Sequence, residues 1–256
     1  MDRLLFSSLA AAKTQSTVRA QLTNDLANVS TPGFKKSFNH VLLRAVKVTA
    51  DYGYQTRYQP TVASSNIVDL QAGRTNFTGR ALDIAMEEKT VMGVVIEDGQ
   101  TAFTRRGDIK LRADGTLVLG NNLVVAGEGG EPIVAPPETI ITITREGIVN
   151  STLPDQPEAP PVPVGQILLR DASEQVLARR EDGLYEPKGA NGGGGDFDNG
   201  PGLVSVQVGT LEGSNVSAIE AMVRLIDFSR SFESQINVIK ESKDNDKTGA
   251  TMMRTS

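Results

Sequence analysis

The sequence has no cysteine, no tryptophan and a single histidine, and only 5% of its 256 residues are aromatic. Without cysteine there can be no disulfide, thiolate zinc site, iron-sulfur cluster or cysteine nucleophile. His40 alone cannot build a multi-histidine metal centre, and it stands in a polar stretch beside Asn39, so it reads as a surface or linker residue. No run approaches the roughly 18 to 20 consecutive apolar residues of a membrane-spanning helix, and no membrane insertion is expected. Lys plus Arg number 26 against 31 for Asp plus Glu, a net charge of -5 that supplies no general attraction for nucleic acid. Gly-x-Ser-x-Gly is absent. The glycine-rich stretch 189–202 lacks the Lys-Ser or Lys-Thr of a phosphate-binding loop and opens onto strand-like residues. No cofactor, metal or small-molecule substrate is therefore expected.

What is present divides by periodicity. Residues 2–29 hold no Pro and no Gly, and Leu22, Leu26 and Val29 recur at i, i+4, i+7, which predicts one long helix ended by Pro32-Gly33. Its further stripe positions Leu4, Ala11 and Val18 are small or isolated, too little apolar area to hold the helix alone. The opening residues mimic a secretory signal, but Asp2 spoils the basic region and Ser7-Ser8 break the apolar run, so no cleavage is expected. A second helix is predicted from about Val216 or Ser217, capped by Ser214 or Asn215, to about Lys243. Counted in sevens, Ala218, Leu225, Phe232 and Ile239 share one position, and Ala221, Phe228 and Gln235 the other, a coiled-coil-like seam that Ile219, Met222, Val223, Ile226 and Ile236 widen.

Between the helices, short alternating or β-branched runs are separated by turn signals. A hairpin is expected over 108–119 around the Asp114-Gly115 turn, with further strands at 123–125, 133–134, 140–144 and 148–149. Residues 154–163 carry five prolines and 189–202 seven glycines, both expected as exposed loops. The carboxylates Glu87-Glu88, Glu97-Asp98 and Asp196-Phe197-Asp198 offer a glycosidase-like pair at most. Asp196, Asp198 and Gly200 open like a calcium loop that lacks its distal Glu. The expected fold class is α+β, with long N- and C-terminal helices forming a coiled-coil-like pair and a central antiparallel all-β domain. Two ends that cannot bury their own stripes favour assembly of many copies.

Three segments carry a family resemblance. Leu26-Ala27-Asn28-Val29-Ser30-Thr31-Pro32-Gly33-Phe34-Lys35 resembles the N-terminal signature of flagellar basal-body rod and hook proteins, Ser30 standing where that family commonly has Asn. Leu211-Glu212-Gly213-Ser214-Asn215-Val216 and the following helix resemble its C-terminal signature, with Gly213 and Phe232 departing from the commoner residues. Gly79-Arg80-Ala81-Leu82-Asp83-Ile84-Ala85 and Phe103-Thr104-Arg105-Arg106-Gly107-Asp108 are similar to the start of its β domain.

The resemblance implies a proximal-rod structural subunit, exported uncleaved by the flagellar type III apparatus and located in the rod that crosses the periplasm. Its implied partners are copies of itself and other rod proteins, and no enzyme activity is implied. It further implies an inner tube from 1–30 with 214–256, a connector over 31–76 and an outer β domain over 77–210. In that reading Leu22, Leu26, Val29, Leu225, Phe228, Phe232, Ile236 and Ile239 form the assembly interface. Asn28, Pro32, Gly33, Phe34, Ser214, Asn215 and Val216 are the motif residues. Tyr52, Tyr54 and Tyr58 read as ordinary packing residues. The alternatives are a distal-rod member of the same family, or an exported β-rich protein that binds or hydrolyses cell-wall glycan through Glu87, Asp196 and Asp198.

Overall fold

The computed structural model describes residues 2–39, 42–46, 59–63, 66–96, 99–155, 160–188 and 195–254. His40, Tyr52, Tyr54, Tyr58, Glu97, Asp98 and Gly192 to Gly194 lie outside the described residues. The chain separates into two compact units, one of 1–27, 39–64 and 217–256, the other of 28–38 and 65–216.

The first unit contains two helices, α1 (Asp2–Ala27) and α2 (Ala218–Arg254), with an antiparallel ribbon of Leu42–Val46 and Gln59–Ala63. α1 stops at Ala27, ahead of Pro32-Gly33, because Thr31 N donates to the Asn28 carbonyl and turns the chain. The cap of α2 is Ser217 rather than Ser214 or Asn215. Its hydroxyl accepts from Glu220 N at 3.4 Å and its carbonyl from Ala221 N at 2.9 Å, the first turn of the helix. α2 runs on past Lys243 to Arg254, since residues 244–254 contain no proline and Gly249 alone costs only about 1 kcal/mol.

The expectation of a fold organised by a coiled-coil-like pair of long helices is overturned. α1 is the shorter of the two helices, 26 residues against 37, and nineteen described strands dominate the chain. Of the seam positions with described side chains only Ala221 is buried. Leu225, Phe228 and Ile239 are half-buried, and Phe232 and Val18 are exposed. The only buried described residue of α1 is the polar Asp25, and a hydrogen bond from Gln15 Nε2 to Ser231 Oγ is exposed. A coiled-coil seam needs large apolar knobs on both partners. Here one helix offers Ala11 and Val18, and the other has Ala218, Ala221 and Gln235 at the same kind of position.

The second unit is β. Its main sheet is antiparallel and centres on Thr90–Val95, which pairs with Thr101–Thr104 on one side and with Val124–Val125 and Leu169–Asp171 on the other. The expected hairpin is present, with Ile109–Leu111 paired to Leu117–Leu119 and Gly115 at φ +84 in the turn. Thr90–Val95 reads as an unbroken apolar run because both of its faces are covered. Met92 and Val94 enter one core with Ile84, Leu117, Leu119, Val149 and Ile167. Val91 enters a second with Phe103, Leu168, Leu177 and Tyr185. Ile140–Ile143, Ile148–Thr152 and Val162–Gln166 make a separate three-stranded sheet. Two short ribbons pair Val206–Val208 with Ile84–Met86 and Thr210–Glu212 with Thr75–Phe77.

Phe103 is fully buried, with its ring edge-on to Phe197 at 4.7 Å between centroids. Phe103→Ala should destabilise the β unit by about 3 to 5 kcal/mol. Urea unfolding followed by tyrosine fluorescence measures this, and a loss near zero would show that the second core does not hold the sheet.

Candidate functional site

The segments that follow α1 and precede α2 meet in the β unit, and buried charges hold them there. Asn28 to Phe34 is a succession of tight turns. Thr31 Oγ1 donates to Asn28 Oδ1 at 3.1 Å and Phe34 N to the Thr31 carbonyl at 3.3 Å. Gly33 N then donates to the Glu212 carbonyl at 2.7 Å, while the Gly33 carbonyl accepts from the buried Tyr185 hydroxyl at 3.2 Å. Gly33 has φ +69, and a Cβ there would lie 2.2 Å from the Arg105 carbonyl oxygen, so only glycine fits this crossing.

Asn215 fastens the returning strand to the outgoing one. Its Oδ1 accepts from Lys36 N at 2.7 Å, its Nδ2 donates to the Asp69 carbonyl at 3.0 Å, and its own N donates to the Phe34 carbonyl at 3.2 Å. Ser214 Oγ accepts from Val216 N at 3.2 Å and sets the turn toward α2. Phe34 carries the Arg179 guanidinium over its ring at 4.3 Å, a cation-π contact. Gly73 passes so close that a Cβ would stand 2.1 Å from the Gly213 carbonyl oxygen.

Beneath these segments lies an ion triad with no solvent access to speak of. Glu212 Oε1 accepts from Lys35 Nζ at 2.6 Å and from Gly73 N at 2.9 Å, and its Oε2 accepts from Arg105 Nε at 2.7 Å. The side chains of Lys35 and Arg105 are fully buried and that of Glu212 is 1% exposed. Two cations share one carboxylate, so carbonyl oxygens supply the remaining negative potential. Arg105 donates to the carbonyls of Met86, Glu88 and Thr90, and Lys35 to that of Gln71 at 2.7 Å. Such a cluster is tolerable only when every member is bonded. Burial, and next the nearby Arg105, hold the Lys35 ammonium below its ordinary 10.5, against the opposing pull of Glu212. Burial pushes the Tyr185 phenol up to about 12.

The motif residues Asn28, Pro32, Gly33, Phe34, Ser214, Asn215 and Val216 thus fall in one place, where Gly33, Phe34 and Asn215 join the two segments directly. Among the interface candidates, Leu22, Leu26, Leu225, Phe228, Ile236 and Ile239 are half-buried on the helices, Phe228 and Phe232 stack at 6.2 Å, and Phe232 is exposed. Val29 lies beyond the end of α1 in the β unit. Two of the three carboxylates of the hydrolase alternative, Glu87 and Asp196, are held by separate arginines. Arg145 and Ser205 donate to Glu87, whose carboxyl they hold below its ordinary range, and Arg170 pairs with Asp196 at 2.7 Å. Lys35, Arg105, Glu212 and Tyr185 were not among the residues marked from sequence. Three of them sit inside motif-like segments, but nothing in their spacing announces a triad. Among the described residues no group of three or more His, Asp or Glu is arranged to hold a metal ion. No described helix is long and apolar enough to cross a membrane.

The chain is 34% identical to the flagellar basal-body rod protein FlgF of Escherichia coli (strain K12), over 96% of each chain. It shows the same identity and coverage with FlgF of Salmonella typhimurium. The chain belongs to the flagellar basal-body rod protein family. A profile of the flagellar basal body rod FlgEFG protein C-terminal region matches residues 207–252, a span that takes in Glu212, Asn215 and most of α2. The rod protein FlgG of Buchnera aphidicola subsp. Schizaphis graminum is 31% identical, over 86% of this chain and 88% of its own. The ion triad and the Gly33 crossing fix how residues 28–36 and 210–216 run against each other within the β unit.

Glu212→Ala should cost about 3 to 5 kcal/mol, because it strands two buried cations. Calorimetric or urea unfolding reads the loss, and a change below about 1 kcal/mol would mean that water reaches the triad. For pH, the lowered Lys35 value means that the unfolded chain binds more protons, so its contribution to stability rises with pH up to about 10.5. Tyr185 has the opposite sign. Its raised value gives stability that is intact below pH 10 and falls by up to about 3 kcal/mol as pH rises to about 12. Tyr185→Phe should flatten that alkaline fall, and an unchanged alkaline limb would show that Tyr185 does not titrate inside the fold.

Proposed function

We propose that the protein is a structural subunit of the bacterial flagellar basal-body rod, in its proximal part, and that it assembles with copies of itself and other rod proteins. Similarity to rod proteins named FlgF over 96% of both chains carries this reading. In this reading the chain reaches its site through the flagellar type III export apparatus. Its work is mechanical. The β unit is a rigid body with two buried cores, and the ion triad sets the points from which the terminal segments depart, so that torque applied at one end is passed on with little give.

The helices supply the adhesion between subunits. On α2, Ile219 is 77% exposed and Met222, Val223 and Ile226 are each more than half exposed, within the first three turns beyond the cap. Leu22, Leu26 and Val29 near the end of α1, with Leu225, Phe228, Phe232, Ile236 and Ile239 on α2, are the side chains whose remaining exposure is lost on assembly. The gain scales with the apolar area removed from water, offset by the ordering of the subunit.

Leu225→Asp and Phe232→Asp would each place an unpaired charge in that contact. Both variants should be exported yet fail to restore swimming to a strain deleted for this gene, and electron microscopy of its basal bodies should show a lost or truncated rod. Swimming at the unsubstituted level would exclude the helices from assembly. Complete rods in the deletion strain would refute the rod reading itself.

A further inference from the structure

The ribbon of Thr75–Phe77 and Thr210–Glu212 leaves one large side chain uncovered. Phe77 is 83% exposed, its ring standing beside Gly79 and Gly209. A phenyl ring held in water on a hydrogen-bonded strand is the kind of group that anchors an interface once a partner covers it. Arg74 lies three residues earlier, about 10 Å along extended chain. It too is exposed, and among the described residues no carboxylate pairs with its guanidinium.

The same unit also holds an open cleft with a mixed apolar and acidic lining. The tight turn around residues 127–131 and the strand Val162–Gln166 frame this cleft of about 510 Å³. Its apolar lining comes from buried Ile133, half-buried Val164 and Val134, the last 53% exposed, and its acidic lining from exposed Glu128 and Glu131. Neither of these carboxylates has an ion-pair partner among the described residues. The cleft is larger than a phenyl ring requires, and the ring of the same chain is not in it.

We infer that Phe77 of one copy docks into the Ile133–Val164 cleft of a second copy, with Arg74 set against Glu128 and Glu131. This rests on the rod reading, which brings copies of the chain side by side. Knob and cleft are different patches of one molecule, so the contact is heterologous and repeats from copy to copy, as a ring or an open array, rather than closing a two-fold dimer. Burial of the ring supplies the apolar term, of order 150 to 250 Å² for an aromatic side chain. The free cation and the two free carboxylates choose the partner and its orientation. The contact lies wholly within the β unit, so it adds to the adhesion of the helices and does not replace it.

The cysteine-free chain makes the test direct. Thr75→Cys, an exposed position two residues along the same strand that keeps the Phe77 ring, and Val134→Cys are placed on two differently tagged copies expressed together in the deletion strain, basal bodies are purified, and disulfide formation is driven with a mild oxidant. A dimer carrying both tags should exceed, by roughly tenfold, that from Thr75→Cys paired with Leu203→Cys, an exposed control site. No excess, with both tags present in motile basal bodies, would overturn the docking contact and leave the rod reading intact. Tags absent from basal bodies altogether would overturn both. As a second measurement, Arg74→Glu should reduce motility, and Glu131→Arg on the same chain should restore it. Motility unaffected by Arg74→Glu, or a loss that Glu131→Arg does not relieve, would count against the charge pairing.

Discussion

The Glu212 carboxylate is the point on which the arrangement turns. It is one acceptor group shared by Lys35 from the segment after α1, Arg105 from the β unit and the Gly73 amide from the chain that runs between them. A buried carboxylate is costly to desolvate, and two buried cations around it cost more. The cluster is sustained because each polar group meets a partner, the carbonyls of Met86, Glu88, Thr90 and Gln71 completing what one anion cannot. Replacing it by apolar side chains could give equal stability. What the ions add is direction, since a guanidinium and an ammonium accept only a few geometries around one carboxylate.

That directionality accounts for the neighbouring glycines and amides. With Glu212 fixed, its backbone carbonyl meets Gly33 N and its strand passes Gly73 at a distance that leaves no room for a side chain. Asn215 bridges Lys36 to Asp69 through its side-chain amide, with the Gln71 carbonyl a second acceptor at 3.4 Å. The result is a crossing of two chain segments in which no residue can shift alone. The crossing is built from short, charge-assisted bonds in a dry interior.

The helices follow a different logic. They bury little among the described residues, and α2 keeps four large apolar side chains more than half exposed near its start. A helix in this condition is stabilised by what it meets rather than by what it contains. The heptad count along α2 was sound as a count, yet it did not make a coiled-coil-like pair, because seam residues as small as Ala218 and Ala221 give a partner helix little to grip. Periodicity states which face is apolar. It is silent on whether that face meets its own chain or another.

The sequence alone determined the division into helical ends and a β middle, since Pro, Gly and β-branched residues act through local backbone sterics over a few neighbours. It also located the segments around Asn28 and Asn215, whose resemblance to one family is written in consecutive residues. Even the hairpin at Gly115 is a local matter, settled by one turn that needs positive φ. Only the tertiary structure decided that those two segments, more than 170 positions apart, cross at Gly33, and that Lys35, Arg105 and Glu212 are three parts of one buried group. A charged residue in sequence looks the same whether it is solvated or enclosed. Its role depends on the dielectric and the partners around it, and these exist only after distant strands have come together.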